Sequence, residues 1–262
     1  MGEQPRVVVT IRDGVADVRF NRPEKRNALD GAMFDGILGA AARIADDPAV
    51  RVVVLSGEGK AFCAGLDTSL LAQMAGDGIG RTGEFRDLRV EAPRAVRVWT
   101  ELSVPVIAAV HGVAVGGGIQ LALAADFRIV SPDAQLGALE MRWGIIPDMC
   151  GTQLLPRLVG PDQAKLLMMT ACTISGEEAL RIGLATQVAD DPYAAAHALA
   201  RELTTRNPDG LAAIKRLVAI AHDTPFDEGM RREFDLSGPV VGTANQREAV
   251  VANLEGRVPN FG

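Results

Sequence analysis

Two glycine-rich turns are the places in this chain where backbone groups could do chemistry. One lies in Pro105-Val-Ile-Ala-Ala-Val-His-Gly-Val-Ala-Val-Gly-Gly-Gly-Ile-Gln120, which runs from an apolar, β-rich segment through three glycines into a helix-like sequence. The other follows Val50-Arg-Val-Val-Val-Leu-Ser56, which reads as a buried strand and opens into Gly57-Glu-Gly-Lys-Ala-Phe-Cys-Ala-Gly-Leu-Asp67. Glycine lets the main chain approach a ligand closely, and N–H groups at the start of a helix point at negative charge. Two such turns can aim two N–H donors at one oxygen, stabilising an oxyanion where it forms. One donor of that kind typically contributes about 2.7–4 kcal/mol to the barrier. Taken singly, either turn serves equally well to pack a strand against a helix.

Positioning these turns falls to alternating strands and helices. Val7–Arg12 and Val15–Phe20 flank Asp13-Gly14, a pair suited to a type I′ hairpin. Asp30 is placed to cap a helix through about Ile44, with Phe34, Ile37, Leu38, Ala41 and Ile44 at helical spacing. A short helix is expected after Asp67, then a mobile lid at Gly76–Gly83, then a helix over about Arg86–Leu102. A strand near 105–110, a helix near 116–125 and a strand Phe127–Val130 repeat the strand-turn-helix logic of the first turn. Strand signals cease at about Pro192, and helices are predicted around 192–205, 207–221 and 226–255. The division read from this is a core over 1–191 and a helical region over 192–262.

The 262 residues are 48% hydrophobic but only 4% aromatic, so the core is built mainly of Ala, Val, Leu and Ile, as in an α/β protein. A net charge of -6 argues against a nucleic-acid footprint, which needs a basic face. No run reaches the roughly 18 apolar residues of a membrane span, and Met1-Gly-Glu-Gln-Pro-Arg has no apolar signal core. A cytoplasmic protein without membrane contact is the expectation. Cys63, Cys150 and Cys172 are odd in number and far apart, and His111, His197 and His222 are as scattered, so neither a disulfide framework nor a metal site is expected. A dinucleotide-binding reading fails on spacing, because Gly112-Val-Ala-Val-Gly-Gly-Gly118 has alanine at the middle glycine position.

Gly59-Lys-Ala-Phe-Cys-Ala-Gly-Leu-Asp67, then His111-Gly-Val-Ala-Val-Gly-Gly-Gly118, then Leu139-Glu-Met-Arg-Trp-Gly-Ile-Ile-Pro-Asp148 together resemble the crotonase (enoyl-CoA hydratase/isomerase) superfamily. The resemblance extends from Asn21-Arg-Pro-Glu-Lys-Arg-Asn-Ala-Leu29 to the C-terminal helices. It implies a spiral of β-β-α units with a C-terminal helical oligomerisation region, and a homotrimer or dimer of trimers. It implies an acyl-CoA thioester substrate and no cofactor beyond the coenzyme A that the substrate carries. The oxyanion-hole donors matched to the motifs are Ala64 and Gly117, the latter favoured by the helix that begins there.

Hydratases of the superfamily use two glutamates. Glu140 matches the second, while Gln120 stands where the first would be. An amide cannot exchange a proton near neutral pH, so efficient hydration is not expected from this pair. Asp148 matches an acid of the dienoyl-CoA isomerases, although those also carry an acid at the Gln120 position. Glu140 alone would shuttle a proton between C2 and C4 of a 3-enoyl thioester. Glu140 with Asp148 would turn a 3,5-diene into a 2,4-diene. Capping of a helix beginning near Gly151 is an equal reading of Asp148. The resemblance places Lys25, Arg26, Ala28, Ala64, Leu66, Gly117 and Gln120 along the bound substrate, and offers Arg257 as a contact to a neighbour's coenzyme A. Met74, Trp143, Met149 and Cys150 are acyl-pocket candidates, while Asp67 and Asp126 read as structural. A crotonase fold retained only as a coenzyme A-binding scaffold is the non-enzymatic alternative.

Overall fold

The computed structural model describes residues 4–77 and 83–261. The centre of the expected lid, 78–82, and the side chain of Met74 lie outside the described residues. The chain opens with strands β1 (Val7–Arg12) and β2 (Val15–Phe20), paired antiparallel. Asp13 and Gly14 both have left-handed φ, 50° and 78°, as the type I′ turn demands. Helix α1 (Gly31–Ala45) starts where Asp30 accepts the Met33 N–H at 2.8 Å. There follow β3 (Val52–Gly57), α2 (Thr68–Asp77), α3 (Gly83–Glu101), β4 (Val106–Val110), β5 (Val113–Val115) and α4 (Gly117–Leu123). Beyond them come β6 (Phe127–Val130), β7 (Gln135–Gly137), α5 (Gly151–Val159), α6 (Pro161–Thr170), α7 (Gly176–Arg181) and β8 (Gln187–Val188). The C-terminal part consists of α8 (Pro192–Thr204), α9 (Pro208–Ile220), α10 (Phe226–Ser237) and α11 (Ala244–Glu255).

The main sheet has the order β1-β2-β3-β4-β6-β8, parallel from β2 onward. β4 is buried at every residue and β3 at all but its last, the pattern of parallel strands covered on both faces. A second ladder pairs β5 with β7, and single parallel bridges join Leu29 to Leu66 and Cys63 to Ala114. Each circuit therefore lays one strand in the main sheet, a short extended segment in the second ladder, and then a helix. This is the spiral of β-β-α units. The larger core lies on the α1 and α3 side of the sheet, where Phe34, Phe62 and Trp99 are fully enclosed. Phe20 meets Phe62 edge to face at 5.2 Å.

Two boundaries read from sequence change. The helix expected over 226–255 is two helices, α10 and α11, because Gly238-Pro239 cannot continue the first, and Gly242, at φ 76°, precedes the Thr243 cap of the second. The division at 191/192 falls ahead of a helix that belongs to the sheet. Ala196 and Ala200 of α8 are fully buried against Val52, Val54, Ile107 and Ile129. Exposed apolar side chains concentrate instead on α9 to α11, including Val218, Phe226, Phe234 and Leu254. No helix among the described residues is long and apolar enough to cross a membrane.

Candidate active site

The two glycine turns meet. A methyl group built on Gly65 would sit 2.7 Å from the Val115 carbonyl oxygen and 3.3 Å from the Gly117 nitrogen. The first turn is stapled from behind by Asn27, which is fully buried and itself left-handed at φ 57°. Its amide donates to the carbonyls of Glu58 and Ala61 and accepts the Arg22 N–H. Sequence reasoning passed over Asn27 as part of a motif. Asparagine's tolerance of the left-handed region was the signal available.

The structure corrects one donor of the expected oxyanion hole. The Ala64 N–H donates to the Arg26 carbonyl at 2.9 Å, so it is committed to tying the loop over Arg26 to the turn. The N–H groups of Leu66 and Gly117 have no acceptor among the described residues. Leu29 donates to the Gly65 carbonyl and receives the Asp67 N–H, which fixes the backbone on either side of Leu66.

A cavity of about 210 Å³ opens over these turns, bordered by Ala64, Leu66, Gly117, Gln120, Glu140 and Asp148. Glu140 begins a one-turn 3-10 helix, Glu140–Trp143, and is buried. A methyl on Gly116 would lie 3.7 Å from Glu140 Oε1, which places the carboxylate at the rim of the second turn. Burial pushes the Glu140 carboxyl above the usual range, opposed by its own N–H and by Gln120, and assisted by the charge of Asp148. Burial also raises the Asp148 carboxyl, opposed by its own N–H and the positive Arg89 on α3.

Asp148 does not cap α5. Residue 150 holds the N-cap position with no side-chain bond, and the job falls to Gln120, whose Oε1 accepts the N–H groups of Met149 at 2.9 Å and Gly151 at 2.8 Å. The Gln120 amide nitrogen in turn donates to Glu140 Oε1 at 2.6 Å. These backbone partners of Gln120, and Arg89, went unread in the sequence because they join it only across the fold.

The remaining expectations divide. Trp143 and Met149 line the cavity, whereas Cys150 does not and packs toward the Pro93 carbonyl instead. Cys63 is no nucleophile, since complete burial pushes its thiol up to about 12. Lys25 and Arg26 are exposed beside the first turn, and neither borders the cavity. Ala28 is buried, its carbonyl accepting from Arg22. Arg257 is held by Glu248, at 2.5 and 2.9 Å, and by Glu255. Asp67 accepts from Ser69 and from Arg22 at 2.6 Å, and Asp126 accepts the Val106 N–H and pairs with Lys215, so both hold structure. No group of three or more His, Cys, Asp or Glu among the described residues could hold a metal ion.

A family model for enoyl-CoA hydratase/isomerase matches residues 10–262. A crotonyl-CoA hydratase of Syntrophomonas wolfei is 34% identical over 261 residues, covering 97% of each chain. A 1,2-epoxyphenylacetyl-CoA isomerase of Escherichia coli is 34% identical over 257 residues, covering 96% of each. The crystal structure of an enoyl-CoA hydratase from Bacillus anthracis superposes with a TM-score of 0.90 at 32% identity over 98% of both chains. With a family model matched over residues 10–262, relatives at 34% identity along nearly the whole chain and a crotonase spiral, this chain belongs to the enoyl-CoA hydratase/isomerase family and is an acyl-CoA enzyme.

Proposed function

We propose that the chain isomerises the double bond of an enoyl-CoA thioester, from 3-enoyl to 2-enoyl, with Glu140 as the single acid and base. The thioester carbonyl oxygen would lie between the N–H groups of Leu66 and Gly117. Glu140 takes a proton from C2, the electrons of that bond delocalise over the thioester and the C3–C4 double bond, and charge collects on the carbonyl oxygen. Return of the same proton to C4 leaves the double bond between C2 and C3. The observation that carries this reading is the fixed orientation of Gln120, whose amide presents N–H to Glu140 and cannot carry a proton. A raised carboxyl pKa suits Glu140 to both halves of the cycle.

Asp148 borders the same cavity, which supports a second reading. On a 3,5-dienoyl thioester it would return the proton at the far end of the diene, giving the 2,4-diene. Many of the similar proteins bear hydratase names, and Asp148 is also the group that would have to supply a second acid for hydration.

Turnover on 2-enoyl-, 3-enoyl- and 3,5-dienoyl-CoA, followed by the ultraviolet absorbance of the conjugated thioester, separates these readings. Isomerisation of the 3-enoyl ester without hydration is the expected result. Glu140→Gln should lower kcat by about 10²–10⁴-fold with coenzyme A affinity kept. An unchanged rate in that variant, or hydration as the dominant activity of the native chain, would overturn the proposal. The exposed apolar faces of α9 to α11 support assembly as a homotrimer or dimer of trimers, which analytical ultracentrifugation tests directly.

A further inference from the structure

Gln120 is almost completely buried and uses both ends of its amide. Its oxygen accepts two backbone N–H groups, from Met149 and Gly151, on either side of Cys150. Cys150 has φ 67°, a left-handed conformation that a non-glycine residue adopts at a cost, so this turn needs holding. Rotating the amide by half a turn would set its NH2 group against two N–H donors. The amide therefore has one orientation, with its nitrogen 2.6 Å from Glu140 Oε1. Glu140 Oε2 is equally buried and has no hydrogen-bond partner among the described residues.

We propose that Gln120 is a positioning residue that holds the Glu140 carboxylate in place through Oε1, while the same amide anchors the 148–151 loop that carries Asp148. This deepens the reading of Glu140 as the base and rests on it. One side chain thereby sets the base and the second carboxylate in fixed relation. Removing the donated hydrogen bond destabilises the ionised form of Glu140 and raises the pH at which it deprotonates. The other charged groups around Glu140 are few. Asp148 repels its negative charge, Arg89 acts on Asp148, and Arg142 on the same turn donates to the Ala171 carbonyl. Asp162 and Lys165 of α6, which packs against this turn, are exposed.

The test reads Glu140 directly, without turnover. Its carboxyl is titrated by difference infrared spectroscopy, with Glu140→Gln as the blank, in the native chain, in Gln120→Met and in Gly151→Ala. Gln120→Met should move the midpoint upward by about one to two pH units, with the acidic limb of the kcat profile moving alongside and KM changing less. A methyl on Gly151 would sit 2.6 Å from Gln120 Oε1, so Gly151→Ala displaces the amide and should move the midpoint the same way, although the change is made at the loop rather than at Gln120 or Glu140. A merely structural Gln120 would alter melting temperature and leave the midpoint in place. Midpoints within about 0.3 unit of the native value in the folded variants would overturn the proposal. Should Gln120→Met fail to fold, Gly151→Ala alone decides. A shifted midpoint in a chain that does not isomerise 3-enoyl-CoA would uphold the positioning role and refute the isomerase reading instead.

Discussion

Substituting Gly118 by alanine tests whether the two turns are truly locked together. The new methyl would lie 2.1 Å from the Cys63 carbonyl oxygen, 2.8 Å from its carbonyl carbon and 3.0 Å from its Cβ. The two closest atoms are backbone, so no rotamer change relieves the clash. The Cys63 carbonyl already accepts the Val115 N–H at 3.1 Å, and the Cys63 N–H donates to Val113 at 3.0 Å. Relief therefore requires the turns to part by roughly 1 Å at the cost of that ladder. Overpacking of this kind destabilises by about 1–3 kcal/mol, or about 3–10 °C in Tm for a chain of this size. The same displacement moves the Gly117 N–H relative to Leu66, and a 1 Å misplacement of catalytic groups costs about 10²-fold in rate. Gly39→Ala is the control. It lies exposed on α1 with nothing within 4 Å of the added methyl, and should stabilise by about 0.5–1 kcal/mol with kcat unchanged. Calorimetry and steady-state kinetics on 3-enoyl-CoA provide both numbers. Gly118→Ala with native Tm and kcat within about twofold would refute the described contact between the turns.

Three further outcomes follow from the same geometry. Asp67 is held down to about 2, first by the Ser69 N–H and then by the Ser69 hydroxyl and Arg22 against the opposing effect of burial. Its stabilisation is present above its ordinary value of 3.8 and is lost as pH falls from there toward 2, so Asp67→Asn should flatten the acid limb of the pH–stability curve; an unchanged limb would contradict this assignment. Lys215 on α9 reaches Asp126 at 2.9 Å and the carbonyls of Val104 and Trp99, so Lys215→Ala should cost about 2–4 kcal/mol and expose the segment beyond α8 to limited proteolysis. Gln120→Glu supplies a second proton-carrying group beside Glu140, and should raise hydration of 2-enoyl-CoA relative to isomerisation. A ratio no higher than native would show that the identity of this residue does not select the reaction.

Local chemistry made much of this protein legible before folding. Asp13-Gly14 dictates its hairpin, Asp30 its helix start, and the apolar runs before each glycine turn their buried strands, because turn geometry, capping and periodicity act over a few residues. The three ordered motifs carried the family, and they pointed to Glu140 and Gly117, both of which border the cavity. The short β5 and β7 escaped, since three-residue segments have too little pattern to read and are held by pairing across about twenty residues. Which of the Ala64 and Leu66 N–H groups is left without an acceptor also lay beyond the sequence. Both are backbone N–H groups in one turn, and only the arrival of the Arg26 carbonyl at 2.9 Å occupies one of them. The sequence likewise showed that position 120 bears an amide and that no proton can pass through it. That its oxygen caps α5 while its nitrogen holds Glu140 depends on three segments converging in space, and no spacing along the chain encodes that convergence.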